Sequence, residues 1–252
     1  MSSDTAEPST AAVLIIGNEI LSGRTQDANL AFLGKELSAA GVRLAEARVV
    51  PDILPEVVAA LDALRGRYRY VFTTGGIGPT HDDITVDCVA AAFGVPVIEH
   101  PEARAILEAH YGDALNPARL RMARVPEGAG LIENPVSKAP GIKIGNVYVM
   151  AGIPKIMQAQ FLSIRHELVG GPPIRSRSRA VHLPESRVAA EFEALQARYP
   201  TVEMGSYPWQ RDGRFGTSLV LRSSDADELE AAAADLDLML AALGAELAAE
   251  EG

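Results

Sequence analysis

The sequence predicts an α/β fold, in which an open, mostly parallel sheet is followed by a small α+β unit. Short apolar runs alternate with helical stripes of apolar residues over roughly the first two thirds of the chain, a pattern typical of buried parallel strands joined by helices. A glycine-rich loop at 75–78 joins one of these runs to a helix. The pattern changes after the Gly-Gly-Pro-Pro sequence at 170–173, because glycine and proline interrupt regular structure.

The first half of the chain alternates strands with helices. Strands are predicted at 12–16, 42–50 and 70–73, and helices are predicted from apolar stripes at 30–37, 54–64 and 86–93. The stripe of the first helix consists of Leu30, Leu33 and Leu37, and Gly41 ends that helix. Strands that alternate with helices in this way pair in parallel through right-handed crossovers.

Shorter elements are predicted farther along the chain. Helices are predicted at 101–111, 117–124 and 157–168, and a hairpin at 142–150 turns at Gly145-Asn146. After the linker at 170–173, strands are predicted at 174–183, 202–207 and 215–222, a helix at 185–198, and a last helix with leucines from Leu229 to Leu247. We therefore expect a frayed tail at 1–10, one domain at 11–170 and a small domain at 174–252.

Composition argues against several classes of function. The chain has 252 residues, a formal net charge of -10 and 5% aromatic residues, so it lacks the positive surface and the stacking platforms of a general nucleic-acid binder. The Gly-x-x-Gly sequence at 213–216 lies at a predicted hairpin rather than between two helices, which argues against RNA binding. Cys88 is the only cysteine, which excludes an internal disulfide. The first ten residues carry no basic segment and no apolar run is long enough to span a membrane, so we expect a cytoplasmic protein without a membrane or nucleic-acid partner.

Residues 73–85 form the most informative segment, TTGGIGPTHDDIT. The segment leaves the carboxyl end of a predicted strand and enters a helix, which is where open α/β sheets bind ligands. Glycines let backbone N–H groups turn inward, and the start of a helix adds partial positive charge, so the loop suits a phosphate group. The segment matches neither a Walker A loop nor a Gly-x-Gly-x-x-Gly loop. The alternative is a tight strand-to-helix turn without a ligand.

Acidic residues beside this loop suggest a divalent cation. A carboxylate repels phosphate unless a cation lies between them, and Mg²⁺ binds through one or two carboxylates together with substrate phosphates. Asp83 is preferred over Asp82 because it lies nearer the helix, and its alternative role is a helix cap. Asp52 and Glu19 are expected at the same edge of the sheet, with a turn residue and a solvated charge as their alternatives. Three acids around a phosphate cradle suit metal-assisted phosphoryl or nucleotidyl transfer.

Three other side chains could act at this site or belong to the core. Lys138 lies on a loop bounded by proline and glycine, where it either closes over an anion or is simply exposed. His81 could donate a hydrogen bond to a phosphate. Cys88 lies among the apolar positions of the helix at 86–93, which predicts a buried core residue rather than a nucleophile.

Several segments resemble the molybdopterin-binding (MoaB/Mog-like) family, and within it the N-terminal part of the competence/damage-inducible CinA proteins. These segments are IGNEILSGR at 16–24, GGIGPTHDDIT at 75–85, Asn134 with APG at 139–141, and MAGIP at 150–154. They follow the family's order across residues 12–168, and the second is the most specific. The resemblance implies a three-layer α/β fold with the binding pocket at the glycine loop. The C-terminal third resembles the small KH-like domain of CinA.

The resemblance also implies roles for individual residues. The acidic pair of the family falls on Asp52 and Asp83, which are therefore the expected catalytic and metal-binding residues, with Asp82 as an additional metal ligand. Phosphate or nucleotide contacts are expected from Gly75, Gly76, Gly78, Thr80, His81 and Thr85. Substrate contacts are expected from Asn18, Glu19, Ser137, Lys138 and Gly141, of which Asn18, Ser137 and Lys138 depart from the family's usual residues.

Three functions are expected from this resemblance. The first is hydrolysis of a nucleotide phosphoanhydride such as ADP-ribose or FAD, with Mg²⁺ or another divalent metal such as Co²⁺. The second is adenylyl transfer to molybdopterin, and the third is a non-catalytic module that binds a pterin or a nucleotide. The family also implies a homo-oligomer. Longer CinA proteins carry a further domain that deamidates nicotinamide mononucleotide, and we expect no such activity here because the sequence ends at Gly252.

Overall fold

The computed structural model of the protein describes residues 9–211 and 213–249. The chain divides between Gly170 and Gly171 into two compact units. Most of the tail predicted at 1–10 lies outside the described residues. The prediction is wrong at Thr10, which begins the first strand. The reason is local pairing, because the Ser9 carbonyl accepts a hydrogen bond from the Arg43 N–H at 2.8 Å and so extends the sheet.

The first unit contains the predicted strands and helices and several short ones that the sequence did not reveal. Its strands are β1 (Thr10–Ile16), β2 (Arg43–Val50), β3 (Tyr70–Thr74), β4 (Val97–Glu99), β5 (Arg124–Pro126), β6 (Gly130–Ile132), β7 (Gly141–Ile144) and β8 (Val147–Met150). Its helices are α1 (Asn18–Leu21), α2 (Asn29–Ala39), α3 (Leu54–Arg65), α4 (Thr85–Phe93), α5 (Pro101–Tyr111), α6 (Pro117–Leu120) and α7 (Pro154–Ile164). Two predicted helices are shorter than expected, because α6 and α7 each end in a 3₁₀ turn, at Arg121–Ala123 and Arg165–Glu167.

The main sheet of the first unit has six strands in the order β2-β1-β3-β8-β7-β6. Strand β1 pairs in parallel with both β2 and β3, and β3 pairs in parallel with β8. Strand β7 is antiparallel to both of its neighbours, so the sheet is mostly parallel, as the sequence predicts. The chain moves to opposite sides of β1 when it forms β2 and β3, and such a switch point is where doubly wound sheets bind ligands.

Both faces of this sheet are covered by helices, which makes three layers. Leu14 and Ile16 of β1 pack into one apolar cluster with α3 and α4. Val13 and Ile15, which point to the other face, pack into a second cluster with α2 and α7. All four side chains are at most 3% exposed. Burial of each contributes about 1.5–3 kcal/mol, which explains why β1 is wholly apolar rather than alternating.

Ser9, the first described residue of the first unit, contacts Val169 near its last residue. The Ser9 hydroxyl donates a hydrogen bond to the Val169 carbonyl at 2.7 Å. The Val169 N–H in turn donates to the Tyr70 hydroxyl at 2.9 Å. These bonds attach the chain that leaves the unit to the strand that begins it and to the middle of the sheet.

The second unit is a small α+β structure. Its elements are β9 (Arg175–Val181), α8 (Glu185–Arg198), β10 (Glu203–Arg211), β11 (Arg214–Ser223) and α9 (Ala226–Ala242). The strands form an antiparallel sheet in the order β10-β11-β9. Both helices pack on one face of it, where Phe192 of α8 and Leu236 of α9 share an apolar cluster with Leu219 of β11.

The last predicted helix is too long. Helix α9 ends at Ala242, and Leu247 instead forms an isolated bridge with Val181 of β9. Gly244 adopts a left-handed conformation with a φ of +64°, which ends helices and turns the chain back. Gly216 lies within β11, so the Gly-x-x-Gly sequence belongs to a hairpin, as predicted. None of the helices within residues 9–211 and 213–249 is long and apolar enough to cross a membrane.

Candidate functional site

The glycine loop between β3 and α4 adopts a conformation that only glycine allows at two successive positions. Gly75 and Gly76 have φ angles of +104° and +66°. A Cβ atom on Gly75 would lie 2.1 Å from the Ile16 carbonyl oxygen, and one on Gly76 would lie 2.2 Å from Thr85 Oγ1. The buried Thr85 hydroxyl donates to the Gly75 carbonyl at 2.9 Å. Thr85 therefore fixes the loop to the start of α4 rather than facing a ligand.

Three backbone N–H groups of this loop are left without a partner. The N–H groups of Gly76, Ile77 and Gly78 donate to no acceptor among the described residues, whereas the Gly75 N–H donates to the Met150 carbonyl at 3.1 Å. All three residues line a cavity of about 580 Å³. Successive free N–H groups in a loop of this kind are suited to an anion such as a phosphate.

Asp83 closes the loop and is not a helix cap. The residue at the N-cap position of α4 is Ile84, and no side chain caps that helix end. Asp83 Oδ2 instead accepts hydrogen bonds from the N–H and the hydroxyl of Thr80, at 2.7 and 2.5 Å. A Cβ atom on Gly78 would lie 2.6 Å from this oxygen, so the carboxylate packs directly against the glycine loop. Asp83 Oδ1 accepts no hydrogen bond from the described part of the chain.

The cavity is bounded by four segments of the first unit. They are the glycine loop, the loop at 151–154 that follows β8, residues of the loop at 134–140, and part of the α5–α6 region, and they are joined by Glu19 and Thr25 from α1 and the loop after it and by Ile156 and Gln160 of α7. Of its described wall residues, three carry charged side chains, namely Glu19, Asp83 and Arg119. Glu19 and Asp83 are thus two predicted acids that the fold brings to one cavity.

Asp52, the other acid of the predicted pair, is not on the wall of this cavity. Its Oδ2 accepts a hydrogen bond from the Asn18 N–H at 2.8 Å, at the start of α1. Strand β1 lies between β2 and β3, so the residues that follow β2 and β3 are separated by two strand spacings, or about 9–10 Å. The sequence indicates the shared edge of the sheet correctly but does not give this strand order. Asn18 is exposed and, like Asp52, lies off the cavity wall.

Other predicted contact residues are divided between the cavity and the surface. Ser137 lies on the cavity wall. Thr80, His81 and Asp82 are exposed and are not on the wall. Lys138 is exposed as well, has a left-handed backbone with a φ of +64°, and lines a neighbouring depression instead.

Gly141 and Cys88 are structural. A Cβ atom on Gly141 would lie 2.8 Å from the Val149 carbonyl oxygen, so glycine is required there for close strand packing in β7. Cys88 is fully buried in α4, and burial raises the pKa of its thiol to about 11. The thiol therefore remains protonated at neutral pH, as expected of a core residue.

Asn134 organises the loop that bears Ser137. It is 3% exposed, and its Nδ2 donates to Ser137 Oγ and to the Ala139 carbonyl, both at 2.7 Å. Its Oδ1 accepts from the N–H groups of Val136 and Ser137 at 3.1 Å. Asn134 also lies on the cavity wall, so one buried amide shapes this side of the site.

Several buried polar atoms beside the cavity lack a partner. Gln160 is fully buried on the wall, and its Oε1 accepts from the Ala151 N–H at 2.9 Å while Nε2 donates to no described residue. Asn29 Oδ1 and Thr74 Oγ1 are also unpartnered, and both residues line a smaller cavity that shares Gly75 and Gly152 with the main one. Buried polar atoms are satisfied in the great majority of cases, so these three indicate water or a ligand.

The donor set fits a cation that arrives with a phosphorylated ligand. Within residues 9–211 and 213–249, no three His, Cys, Asp or Glu side chains gather as a metal cage. Two carboxylates, from Glu19 and Asp83, border the same cavity as the free loop N–H groups. Mg²⁺ is commonly held by one or two carboxylates plus substrate phosphates, so this wall suits such a cation.

Tyr111 and Arg119 are two of the cavity-wall residues that sequence reasoning missed. They lie in the α5–α6 region, and no spacing or motif there signals a site. Asn134 was marked only as part of a family segment, although its position before a Pro-containing loop is typical of a residue that hydrogen-bonds its own turn.

Comparison with known proteins identifies the family. A family model described as "Probable molybdopterin binding domain" matches residues 12–169, and one described as "FAD synthase, middle domain" matches residues 173–246. A protein of Aeropyrum pernix is 34% identical over 208 residues, which cover 78% of each chain. The solved structure of a CinA protein from Thermoplasma acidophilum is similar with a TM-score of 0.59 and 37% identity, covering 63% of this chain and 98% of that one.

Two named relatives are longer. A "Probable FAD synthase" of Caenorhabditis elegans is 30% identical over 92% of this chain and 50% of its own length. A "CinA-like protein" of Myxococcus xanthus is 32% identical over 77% of this chain and 50% of its own length. The chain therefore spans about half the length of these two relatives. Since the first family model covers more than half of the chain and the fold has the three layers described above, the chain belongs to the MoaB/Mog-like molybdopterin-binding domain family, with CinA-like proteins among its relatives.

Proposed function

We propose that the protein hydrolyses the phosphoanhydride bond of a nucleotide such as ADP-ribose or FAD with the help of a divalent metal. The observation that carries this proposal is the packing of the Asp83 carboxylate against a glycine loop whose free N–H groups line the same cavity. A volume of about 580 Å³ lies within the usual range for small-molecule sites. The similarity of the second unit to the FAD synthase middle domain supports a nucleotide as the substrate.

Different residues of the site would bind the phosphates and the metal. The N–H groups of Gly76, Ile77 and Gly78 would bind the phosphate oxygens and stabilise the charge that develops on them. Asp83 Oδ1 and Glu19 would hold the metal. When bound, the metal would neutralise the negative charge of the phosphates and act as a Lewis acid toward the reacting phosphorus. Asp83 Oδ2 stays hydrogen-bonded to Thr80, so the carboxylate is oriented before a ligand arrives.

The proposed step is a displacement at phosphorus by water. The attacking water gives its proton to solvent, because both carboxylates of the cavity wall, Glu19 and Asp83, are assigned to the metal. The bridging P–O bond breaks and its electron pair stays on the leaving phosphate. ADP-ribose would yield AMP and ribose 5-phosphate, and FAD would yield AMP and FMN.

A second candidate is adenylyl transfer to molybdopterin, which the description of the matched family favours. In that case the phosphate of the pterin would replace water as the nucleophile in the same cavity. Product analysis separates the two reactions. The protein is incubated with ADP-ribose, with FAD, and with ATP plus molybdopterin, each with Mg²⁺ or Co²⁺. Release of AMP from ADP-ribose or FAD supports hydrolysis, whereas adenylylated molybdopterin with release of pyrophosphate supports transfer.

The role of Asp83 is tested by Asp83→Asn, because asparagine keeps an oxygen that can accept from Thr80 and removes only the charge. Loss of one preorganised electrostatic contact lowers turnover by about 10²-fold or more, while the midpoint of thermal unfolding should change little. The matched control is Asp82→Asn, since Asp82 is the adjacent carboxylate but is exposed and lies off the cavity wall. Full turnover by Asp83→Asn on every substrate would refute the proposed site.

The role of the metal is tested by titration calorimetry with ADP-ribose, in Mg²⁺ or Co²⁺ and in chelator. Two carboxylates on the cavity wall should repel the diphosphate when no cation is present, so the affinity should fall in chelator. Equal affinity in both conditions would contradict the metal-bridged arrangement.

A further inference from the structure

We propose that Arg119, on the wall of the same cavity, supplies the positive charge that binds the diphosphate of the substrate together with the loop N–H groups. This inference rests on the proposed function for its substrate class, a nucleoside diphosphate ester. It assigns the charge recognition to a side chain that no motif in the sequence indicates.

The first argument is charge balance at the cavity. Glu19 and Asp83 bring two negative charges to its wall, and Arg119 is the one cationic side chain on the part of the wall that the structure describes. The phosphoanhydride of an ADP-ribose-like ligand adds two more negative charges. A single divalent cation offsets only half of this total, so a further positive charge is needed for tight binding.

The second argument is preorganisation. The Arg119 guanidinium carbon lies 4.4 Å from the centroid of the Tyr111 ring, in cation–π contact. Its Nη1 donates to the Ala114 carbonyl, and its backbone N–H donates to Asn116 Oδ1 at 2.9 Å. Tyr111 packs in turn against a small buried cluster that includes Leu107. The guanidinium is thus held in place before a ligand binds, which lowers the entropy cost of binding.

The third argument is that Arg119 has no carboxylate partner among the described residues, in contrast to Arg104 and Arg124 of the same region. Arg124 pairs with Asp87 at 2.6 Å. Arg104 pairs with Glu99 at 2.6 Å and Glu108 at 2.7 Å. Both of these arginines are therefore already neutralised. The charge of Arg119 is balanced only by an aromatic face and a carbonyl, so it remains available to an anion.

The geometry of the guanidinium suits a phosphate. One N–H group of the fork is used by the Ala114 carbonyl, while Nε and Nη2 make no hydrogen bond to a described residue. These two nitrogens lie side by side and can donate in parallel to two oxygens of one phosphate. A lysine would supply the charge but neither the fork nor the same stacking on Tyr111.

The test compares Arg119→Gln and Arg119→Lys with wild type by titration calorimetry with ADP-ribose in Mg²⁺. Loss of a charge-assisted contact should weaken ADP-ribose binding about 10- to 100-fold in Arg119→Gln. Arg119→Lys should recover part of this affinity, because lysine restores the positive charge but not the two parallel N–H donors of the guanidinium. Tyr111→Leu should weaken binding by a smaller factor, and Tyr111→Phe, which keeps the ring, should leave it unchanged. Arg104→Gln is the matched control and should bind as wild type does.

The outcomes separate this inference from the proposed function. If wild type releases no AMP but binds ADP-ribose with an affinity that depends on Arg119, hydrolysis is refuted and the binding role stands. If wild type hydrolyses ADP-ribose and Arg119→Gln keeps the same dissociation constant and KM, the role of Arg119 is refuted and hydrolysis stands. Failure of Arg119→Lys to bind better than Arg119→Gln would also overturn the inference, because a merely structural role does not require the charge. A wild-type chain that binds neither ADP-ribose nor FAD would refute both.

Discussion

Several charged side chains are paired in the second unit, whereas polar groups at the cavity edge of the first unit have no partner in the part of the chain that the structure describes. In the second unit, four described arginines pair with acids of the same unit, namely Arg177 with Glu230, Arg179 with Asp237, Arg198 with Asp235 and Arg214 with Glu246. At the cavity edge, Asp83 is hydrogen-bonded to its own loop, Arg119 has no acidic partner among the described residues, and three loop N–H groups are free. Paired charges fix a surface, whereas unpaired polar groups at a cavity are free to bind a ligand.

The largest expected effect of a substitution is at the glycine loop. Gly75→Ala forces a left-handed residue to carry a Cβ atom 2.1 Å from the Ile16 carbonyl oxygen. Backbone strain and overpacking together should lower the free energy of unfolding by about 3 kcal/mol. Chemical denaturation measures this. The matched control is Gly94→Ala, where φ is +66° and nothing lies within 4 Å of the new atom, so strain alone should cost about 1–2 kcal/mol. If both variants lose the same free energy of unfolding, the close approach of the new Cβ atom to the Ile16 carbonyl does not destabilise Gly75→Ala.

The next effect is expected at the buried amide of the cavity wall. Asn134→Ala removes four partly buried hydrogen bonds that shape the 134–139 loop, which should cost about 2 kcal/mol of stability and weaken ADP-ribose binding. Asn116→Ala removes a single exposed bond to the Arg119 N–H and should cost about 1 kcal/mol. Equal unfolding midpoints for the two variants would contradict the role assigned to Asn134.

A paired charge of the second unit should matter much less. Arg179 donates to both oxygens of Asp237, at 2.7 and 2.9 Å, but both side chains are partly exposed. Solvent screens such a pair, so Arg179→Gln should cost at most about 1 kcal/mol and leave the affinity for ADP-ribose unchanged. A double-mutant cycle with Asp237→Asn, repeated at high salt, isolates the pair energy. A coupling energy that salt does not reduce would show that the pair is more than a surface contact.

The smallest effect concerns a paired carboxylate of the first unit. The Tyr68 hydroxyl donates to Glu46 Oε2 at 2.6 Å, and this bond, together with Arg48, lowers the pKa of Glu46. A carboxylate with a lower pKa in the folded state stabilises the fold above its unfolded pKa, and this contribution is lost as the pH falls through the folded value. Tyr68→Phe should therefore lower the midpoint of thermal unfolding at neutral pH, and the difference from wild type should shrink at acidic pH. A difference that grows on acidification would reverse the assignment.

The sequence predicts the sheet and the glycine loop well because both depend on local patterns. The apolar run in β1 and the stripes of α2 and α3 signal buried elements directly, and residues 75–85 reveal a loop that turns into a helix. Strand order is not local, so the sequence does not show that β1 lies between β2, which precedes Asp52, and β3, which precedes the glycine loop.

The position of Arg119 on the cavity wall could not be predicted for a similar reason. Arg119 reaches it only because α5 and α6 fold back toward the glycine loop, and a short helix such as α6 has too few residues for a periodic signal. The alternative role of Asp83 as a helix cap is wrong because Asp83 lies one residue before the cap position. Helix α4 begins at Thr85, whose side chain is used to hold Gly75, and Ile84 occupies the cap position.

The bond between Ser9 and Val169 has a consequence for engineering the first unit. Because the Ser9 hydroxyl contacts the Val169 carbonyl at 2.7 Å, the first and last described segments of the unit lie side by side. Units whose ends lie together tolerate circular permutation, in which a short linker joins the old ends and new ends are opened in an exposed loop. A break at the exposed turn around Gly128 would leave the sheet, the glycine loop and the cavity wall on one continuous polypeptide with a new order of elements.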